Sequence, residues 1–134
     1  MNTVGATRLM RRLALPAVLV AGVVLYVSFG VLRVPRGMDT MPETHPAGTI
    51  CVIDKRPGPV NEGWVVFVDL SDGASVLTRV ATVHDDGSFE IRHDNRQSKF
   101  GYLERLGPYP ASSVRGQVLS AFTEIGQGEP DLGK

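Results

Sequence analysis

The chain opens with a long apolar run and continues with short stretches in which apolar and polar residues alternate. Residues 13–32 contain no charged side chain. An apolar run of about 20 residues is long enough, at a helical rise of about 1.5 Å per residue, to cross the hydrocarbon core of a bilayer. The pattern therefore predicts one N-terminal transmembrane helix, to which we assign residues 13–33.

Arginine residues flank this apolar run on both sides. They are Arg8, Arg11, Arg12, Arg33 and Arg36. An arginine cluster before the first helix favours an N-terminus in the cytoplasm. We therefore assign residues 1–12 to the cytoplasm and place the C-terminal part outside the cytoplasmic (inner) membrane. A cleaved signal peptide would have a shorter apolar core of about 7–15 residues and a small-x-small site. Since the run is longer and no such site follows it, the segment is interpreted as an uncleaved anchor.

Beyond the anchor, the sequence has the period of β-strands. The strand-like stretches are residues 49–53, 64–70, 75–83, 88–92 and 112–122. Asp-Gly occurs at two of the boundaries and Pro-Gly at one, and these pairs are hairpin and turn signals. The pattern predicts a mainly β protein with one small antiparallel domain over residues 34–122. The polar, glycine-rich end of the chain, residues 123–134, is predicted to be a flexible tail.

Charge and composition exclude several classes of function. The net charge is zero and the pI is near 6.8, whereas a nucleic-acid-binding domain normally has a basic excess. Cys51 is the single cysteine, so it forms no intrachain disulfide and no cysteine-based zinc site. Its apolar neighbours predict a buried core residue. His45, His84 and His93 do not have the spacing of metal ligands, and we predict surface or turn positions for them. No cofactor is indicated.

Three segments contain the polar residues from which a site could be built. They are residues 34–44, 76–80 and 93–98, with the sequences Val-Pro-Arg-Gly-Met-Asp-Thr-Met-Pro-Glu-Thr, Val-Leu-Thr-Arg-Val and His-Asp-Asn-Arg-Gln-Ser. Between the first two, a Gly-Thr pair begins at Gly48 and a Gly-Trp pair begins at Gly63, each at the start of a predicted strand.

In this order behind an anchor, the segments resemble the sequence boxes of type I signal peptidases. That family has a first box of the form Gly-x-Ser-Met-x-Pro-Thr, two Gly-Asp pairs that open strands, a Lys-Arg-Val box and a Gly-Asp-Asn box. The resemblance extends from about residue 34 to residue 118. It implies a small extracytoplasmic antiparallel β domain of the signal peptidase type.

The chain departs from this family at the residues that carry the chemistry. Signal peptidases transfer an acyl group to a serine hydroxyl that a neutral lysine activates. Alignment on Gly37 and Pro42 places Asp39 at the serine position, whereas alignment on the later residues of the segment places Thr40 there. The lysine position is occupied by Thr78. A threonine hydroxyl is too weak a base to activate a second hydroxyl, so the resemblance implies that the catalytic dyad is missing.

The missing dyad favours a non-catalytic relative that acts as an accessory or structural subunit, with other membrane protein subunits as partners. The alternative is an active signal-peptide-processing peptidase with Thr40 as nucleophile, and its base would have to be a histidine or Lys55. A third interpretation is a generic β-domain receptor whose motifs match by accident. Trp64, a large residue where the family has a small acid, suggests a surface reshaped for a partner protein.

Overall fold

A computed structural model describes residues 3–123, and these form one long helix followed by an antiparallel β domain. The elements are helix α1 (Thr3–Ser28) and strands β1 (Phe29–Arg33), β2 (Ile50–Asp54), β3 (Val65–Asp69), β4 (Ser75–Val83), β5 (Phe89–Arg92) and β6 (Val114–Phe122). Two short 3-10 helices, Gly101–Arg105 and Ala111–Ser113, lie between β5 and β6. The predicted tail falls almost entirely outside the described residues.

The strands form a single sheet in the order β1-β2-β6-β3-β4-β5, and every pairing is antiparallel. The last strand, β6, lies between β2 and β3 and so joins the N-terminal and central parts of the sheet. Strands β1 and β5 are its two edges among the residues described. The mainly β, antiparallel prediction is confirmed.

Both Asp-Gly turns close hairpins as predicted. Leu70 and Ala74 are joined by a 2.8 Å backbone hydrogen bond across the β3–β4 turn, and His84 and Ser88 by another of 2.8 Å across the β4–β5 turn. Strands β3, β4 and β5 therefore form a meander. The predicted bounds 75–83 agree with those of β4, and the other predicted strands differ from the observed ones by one or two residues.

The helix bounds differ from the prediction of residues 13–33. Helix α1 begins at Thr3 and ends at Ser28, and the remaining five residues form β1. β1 pairs with β2 along its whole length, from Phe29 opposite Asp54 to Arg33 opposite Ile50. The aromatic and β-branched residues of β1 suit a strand, and pairing with β2 satisfies backbone groups that a longer helix would direct elsewhere. The helix is nevertheless long and apolar enough to cross a membrane.

The described core consists of two clusters on opposite faces of the sheet. One contains Val66, Val68 and Phe89, and the other contains Phe67 and Leu77 with the buried residues of β2. Strand β3 therefore contributes to both clusters, since successive side chains point to opposite faces.

The second cluster also contains Met41 and Cys51. Met41, in the first polar segment, packs there and fixes that segment against the sheet. Cys51 is fully buried in the same cluster, as predicted, and burial raises the pKa of its thiol.

We predict that Gly116→Ala destabilises the domain because β6 passes close to β2 at this point. A Cβ at Gly116 would lie 2.7 Å from Cδ1 of Ile53 and 3.1 Å from the carbonyl oxygen of Asp54. Overpacking of this kind costs about 1–3 kcal/mol. Urea unfolding of the full chain in detergent, followed by the fluorescence of Trp64, measures the loss. Gly101→Ala is the control because a Cβ there meets nothing within 4 Å; equal midpoints for the two variants would contradict the prediction.

Candidate functional site

The fold brings the three polar segments together. Asn95, in the third segment, donates from its backbone N–H to the carbonyl oxygen of Thr40 at 2.9 Å and from its side-chain amide to the carbonyl oxygen of Asp39 at 2.8 Å. Both residues lie in the first segment. The second segment is part of β4, against which the other two pack. The candidate site residues therefore occupy one region of the molecule.

Thr40 is held against β4 by its own side chain. It is fully buried, and its hydroxyl donates a hydrogen bond to the carbonyl oxygen of Leu77. Both backbone groups of Val80 form hydrogen bonds on the β3 side of β4. The N–H donates to the carbonyl oxygen of Trp64, and the C=O accepts from the N–H of Gly63. Because these groups alternate in direction along a strand, those of Leu77 point to the opposite edge of β4.

Within residues 3–123 no strand covers this part of the β4 edge, since β5 pairs with β4 only from Arg79 onwards. A substrate peptide could use such an edge to add a further strand. At this edge the carbonyl oxygen of Leu77 already accepts a hydrogen bond from the Thr40 hydroxyl. A peptide that paired there would have to displace the first segment.

Asp39, the other candidate for the nucleophile position, faces the third segment. Its carboxylate accepts a hydrogen bond from the Ser98 hydroxyl and another, at 3.1 Å, from the backbone N–H of Lys99. The Ser98 hydrogen bond, opposed by partial desolvation, lowers the pKa of Asp39 below its ordinary value. An ionised carboxylate held in this way joins two loops. It is poorly suited to the nucleophile position because it disfavours an oxyanion developing nearby.

Thr78, at the lysine position, is paired with a buried histidine. Thr78 and His93 are both fully buried, and the Thr78 hydroxyl lies 2.8 Å from Nδ1 of His93. On the other side of the ring, Nε2 lies 2.9 Å from the carbonyl oxygen of Phe100. Since a carbonyl only accepts, Nε2 carries a proton, and in the tautomer with the proton on Nε2 the Nδ1 atom accepts from the Thr78 hydroxyl.

The position of His93 corrects the prediction of a surface or turn residue. Its backbone N–H donates to the Glu104 carboxylate at 2.9 Å, so ring and backbone are both hydrogen-bonded. A hydroxyl bonded to an imidazole can be an activated nucleophile. Here neither group is exposed, so an acyl carbon could not approach the Thr78 oxygen. The pair satisfies polar groups within the core, as buried groups require.

The other two histidines lie nearer the surface. His84 is exposed and lies 3.5 Å from the Glu90 carboxylate. His45 is half-buried, with Nδ1 2.8 Å from the Thr44 hydroxyl. Desolvation, and then the positive charge of Arg79, lower the pKa of His45. Among the described residues these two histidines contact Thr44 and Glu90, whereas the Thr40 hydroxyl donates to the carbonyl oxygen of Leu77.

The two glycines that we predicted to match the family's Gly-Asp pairs both have a conformation that favours glycine. Gly48 has φ +90° and Gly63 has φ +85°, a region that other residues rarely adopt. The residues that follow these glycines are Thr49 and Trp64. Thr49 is fully buried, and its hydroxyl has no hydrogen-bond partner within the described part of the chain. Trp64 is half-buried and packs against the first core cluster.

An ion pair fastens the third segment to β4. Arg79 donates to both carboxylate oxygens of Asp94 at 3.0 Å and to the carbonyl oxygen of Gly63 at 3.0 Å. A shallow depression of about 320 Å³ lies beside this pair. It is lined by Pro42, Glu43, Thr44, Asp94, Asn95, Arg96 and Gln97. Asp39, Thr40 and Thr78 do not line it, so it gives no access to them.

Metal-ligating side chains are not clustered in the described residues. No group of three or more histidine, cysteine, aspartate or glutamate residues there is placed to hold a metal ion.

Comparison with known proteins gives no relative for this chain. No protein-family model, no curated protein and no solved structure matches it. The resemblance to signal peptidases therefore depends on the sequence segments alone.

Thr78→Val is predicted to destabilise the domain because it leaves Nδ1 of the buried His93 without a donor. Valine has nearly the shape of threonine, so the loss reports the missing hydrogen bond. An unsatisfied buried group of this kind costs about 1–3 kcal/mol. Urea unfolding measures the change, and Thr78→Ser, which keeps the hydroxyl, serves as the control. Wild-type stability in Thr78→Val would show that this hydrogen bond is not formed.

The Arg79–Asp94 pair predicts a specific dependence of stability on pH. The hydrogen bonds from Arg79 hold the pKa of Asp94 below its ordinary value of 3.8. A carboxyl whose pKa is lowered on folding stabilises the protein above the unfolded pKa, and this contribution is lost as pH falls through the folded pKa. Both side chains are more than one-third exposed, so the contribution is below about 1 kcal/mol.

Asp94→Asn should therefore lower the unfolding midpoint at neutral pH but not at a pH below the folded pKa, where the native carboxyl is also neutral. Parallel denaturation curves at the two pH values measure this. A difference that persists unchanged in acid would contradict the electrostatic origin of the effect.

Proposed function

We propose that this chain is a single-pass membrane protein with a non-catalytic, signal-peptidase-like β domain that serves as an accessory or structural subunit of a membrane protein complex. The observation that carries the proposal is the hydrogen bond from the buried Thr40 hydroxyl to the Leu77 carbonyl oxygen. A nucleophile must be exposed to its substrate and bonded to a base. Thr40 is buried, and its hydroxyl proton is donated to a backbone carbonyl.

The position of the base supports the same conclusion. Thr78 replaces the lysine, and its hydroxyl pairs with a histidine that is itself bonded to a backbone carbonyl. Replacing a general base typically lowers the rate by about 10²–10⁴-fold. Asp39, Ser98, Arg79 and Asp94 also bond to other residues of the domain, which is a structural arrangement.

Helix α1 supports membrane anchoring. All its side chains from Gly5 to Val27 are exposed, including the apolar ones, so the domain does not cover them. An apolar helix of this length is stable in a bilayer, where its backbone is satisfied internally. The flanking arginines favour a cytoplasmic N-terminus, with the β domain on the extracytoplasmic side of the cytoplasmic membrane.

An apolar surface on the sheet supports a role in an assembly. Val31 lies opposite Val52 and Ile50 lies opposite Phe122, so these four side chains share the outer face of β1, β2 and β6. Val31 is 66% exposed and Phe122 58%. We call these four residues the outer apolar face. Ile50 and Val52, which lie between them, are half-buried. Apolar side chains grouped at the surface are typical of sites that bind another protein, and we assign this face to a partner subunit.

The alternative of an active signal-peptide-processing peptidase requires a rearrangement. The Thr40 hydroxyl would have to leave the Leu77 carbonyl, become exposed, and meet a base that the described residues do not bring to it. No observation on the site favours that arrangement.

Gentle solubilisation of native membranes tests the subunit proposal. We expect the tagged chain to be captured in a discrete complex with one or more membrane proteins at fixed stoichiometry. Phe122→Asp should reduce recovery of the partner about tenfold or more, as expected for a buried interface residue. Leu106→Asp is the matched control, because Leu106 is 65% exposed and lies outside the outer apolar face. Recovery of the wild-type chain alone, or equal recovery with both variants, would contradict the proposal.

A further inference from the structure

A groove lies where helix α1 meets the β domain. It has a volume of about 570 Å³ and is lined by Tyr26, Phe29, Gly30, Val31, Leu32, Ile53, Lys55 and Arg115. The lining combines apolar side chains with two cations, and none of these lining residues is acidic. It is thus a largely apolar groove that holds two cationic side chains and begins at the end of an apolar helix.

Lys55 is fixed at the end of the helix. Its backbone N–H donates to the carbonyl oxygen of Ser28 at 2.7 Å, and its Nζ donates to the carbonyl oxygen of Tyr26 at 3.1 Å. Nζ also lies 5.1 Å from the centre of the Tyr26 ring. Carbonyls at a helix C-terminus have no partner within the helix and attract positive charge. An ammonium group has three donors, so these contacts leave Lys55 able to bind a further anion.

Gly30 gives Lys55 the space to reach the helix. A Cβ at Gly30 would lie 2.6 Å from Cε of Lys55. The strand residue beside the helix must therefore be a glycine for the lysine to keep this path. Arg115, on β6, supplies the second cation. Its Nε lies 3.3 Å from the Asp69 carboxylate in a pair that is about half exposed, and a guanidinium has five donors.

The position of the groove identifies its occupant, given the membrane anchor of the proposed function. Tyr26 lies in the last turn of α1 and Phe29 is the first residue after it, so the groove begins where the helix leaves the bilayer. Aromatic residues at this level are typical of the membrane–water interface. Phosphate groups of lipids lie at the same level. The apolar walls suit the acyl and glycerol parts of a lipid, and the two cations suit its phosphate.

We propose that this groove binds the headgroup of an anionic phospholipid in the leaflet where α1 ends. Lys55 and Arg115 contact the phosphate, and Phe29 and Leu32 contact the apolar part of the same molecule. The bound lipid holds the β domain against the membrane surface. A free phosphate ion would use the cations but not the apolar walls.

Native mass spectrometry of the full chain, released from nanodiscs of mixed phosphatidylglycerol and phosphatidylcholine, tests the proposal. We expect wild-type protein to retain phosphatidylglycerol in preference to phosphatidylcholine. The double variant Lys55→Gln/Arg115→Gln should lose this preference about tenfold or more, because each cation near a membrane surface adds attraction for anionic lipid. Arg92→Gln is the matched control, since Arg92 is an exposed cation on β5, the opposite edge of the sheet.

Two further measurements distinguish lipid binding from a folding defect and from the binding of a small anion. Arg115→Gln alone leaves the Lys55 contacts with the helix intact and should lose part of the preference, so a folding defect in the double variant does not hide the effect. Excess inorganic phosphate should not displace the lipid; displacement would show a small-anion site and overturn the assignment to lipid. Equal preference in wild type and in the double variant would also overturn it.

A separate measurement tests the membrane anchor on which the assignment of the groove depends. Alkaline carbonate extraction of native membranes should leave the chain in the membrane fraction. Release of the chain would overturn both the anchor and the groove assignment. Retention of the chain without any preference for phosphatidylglycerol would overturn the groove assignment alone.

Discussion

The contact between the first polar segment, residues 34–44, and β4 closes the strand edge at which a substrate peptide could pair. Thr40 and Met41 are neighbours in the sequence and are both buried, the first bonded to the Leu77 carbonyl and the second packed in the core cluster that contains Leu77. One hydrogen bond and one apolar side chain thus hold the segment against an otherwise uncovered strand edge. Opening that edge to a peptide would break the Thr40 hydrogen bond and remove Met41 from the core, which is costly.

The same internal pairing extends through the rest of the site. Thr78, His93 and Glu104 form hydrogen bonds to one another or to nearby backbone, and Asp39 bonds to the loop that contains Ser98. Buried polar networks specify a single arrangement when every member has a partner. Catalysis instead needs polar groups that are accessible to the substrate. Gly48 and Gly63 have positive φ angles, which glycine adopts readily, so their role is in the backbone conformation.

Much of the fold could be predicted from the sequence because its strands are bounded by local signals. The Asp-Gly turns and the alternation in β4 predict both hairpins of the meander. Strand β1 could not be predicted in this way, since its apolar residues continue the apolar run of the helix and only pairing with the distant β2 defines them as a strand. The insertion of β6 between β2 and β3 is also a long-range feature without a local sequence signal.

The candidate site could be predicted in part. The three segments that hold the candidate residues meet in the fold, but the sequence left Asp39 and Thr40 as alternatives. In the fold, Thr40 turns inward to β4 and Asp39 turns toward Ser98. His93 was missed because its neighbours Asp94 and Asn95 have the composition of a turn, whereas its ring fills the space behind Thr78. A histidine at the end of a buried strand was the only available signal.

The most direct test of a non-catalytic domain is a cleavage measurement on the purified full chain in liposomes. The substrate is a preprotein with an Ala-x-Ala site, and wild type is compared with Thr40→Ala and Asp39→Ala. We predict no cleavage above the protein-free background for any of the three. Cleavage by wild type and by Asp39→Ala that is abolished in Thr40→Ala would contradict the central claim and identify Thr40 as a nucleophile.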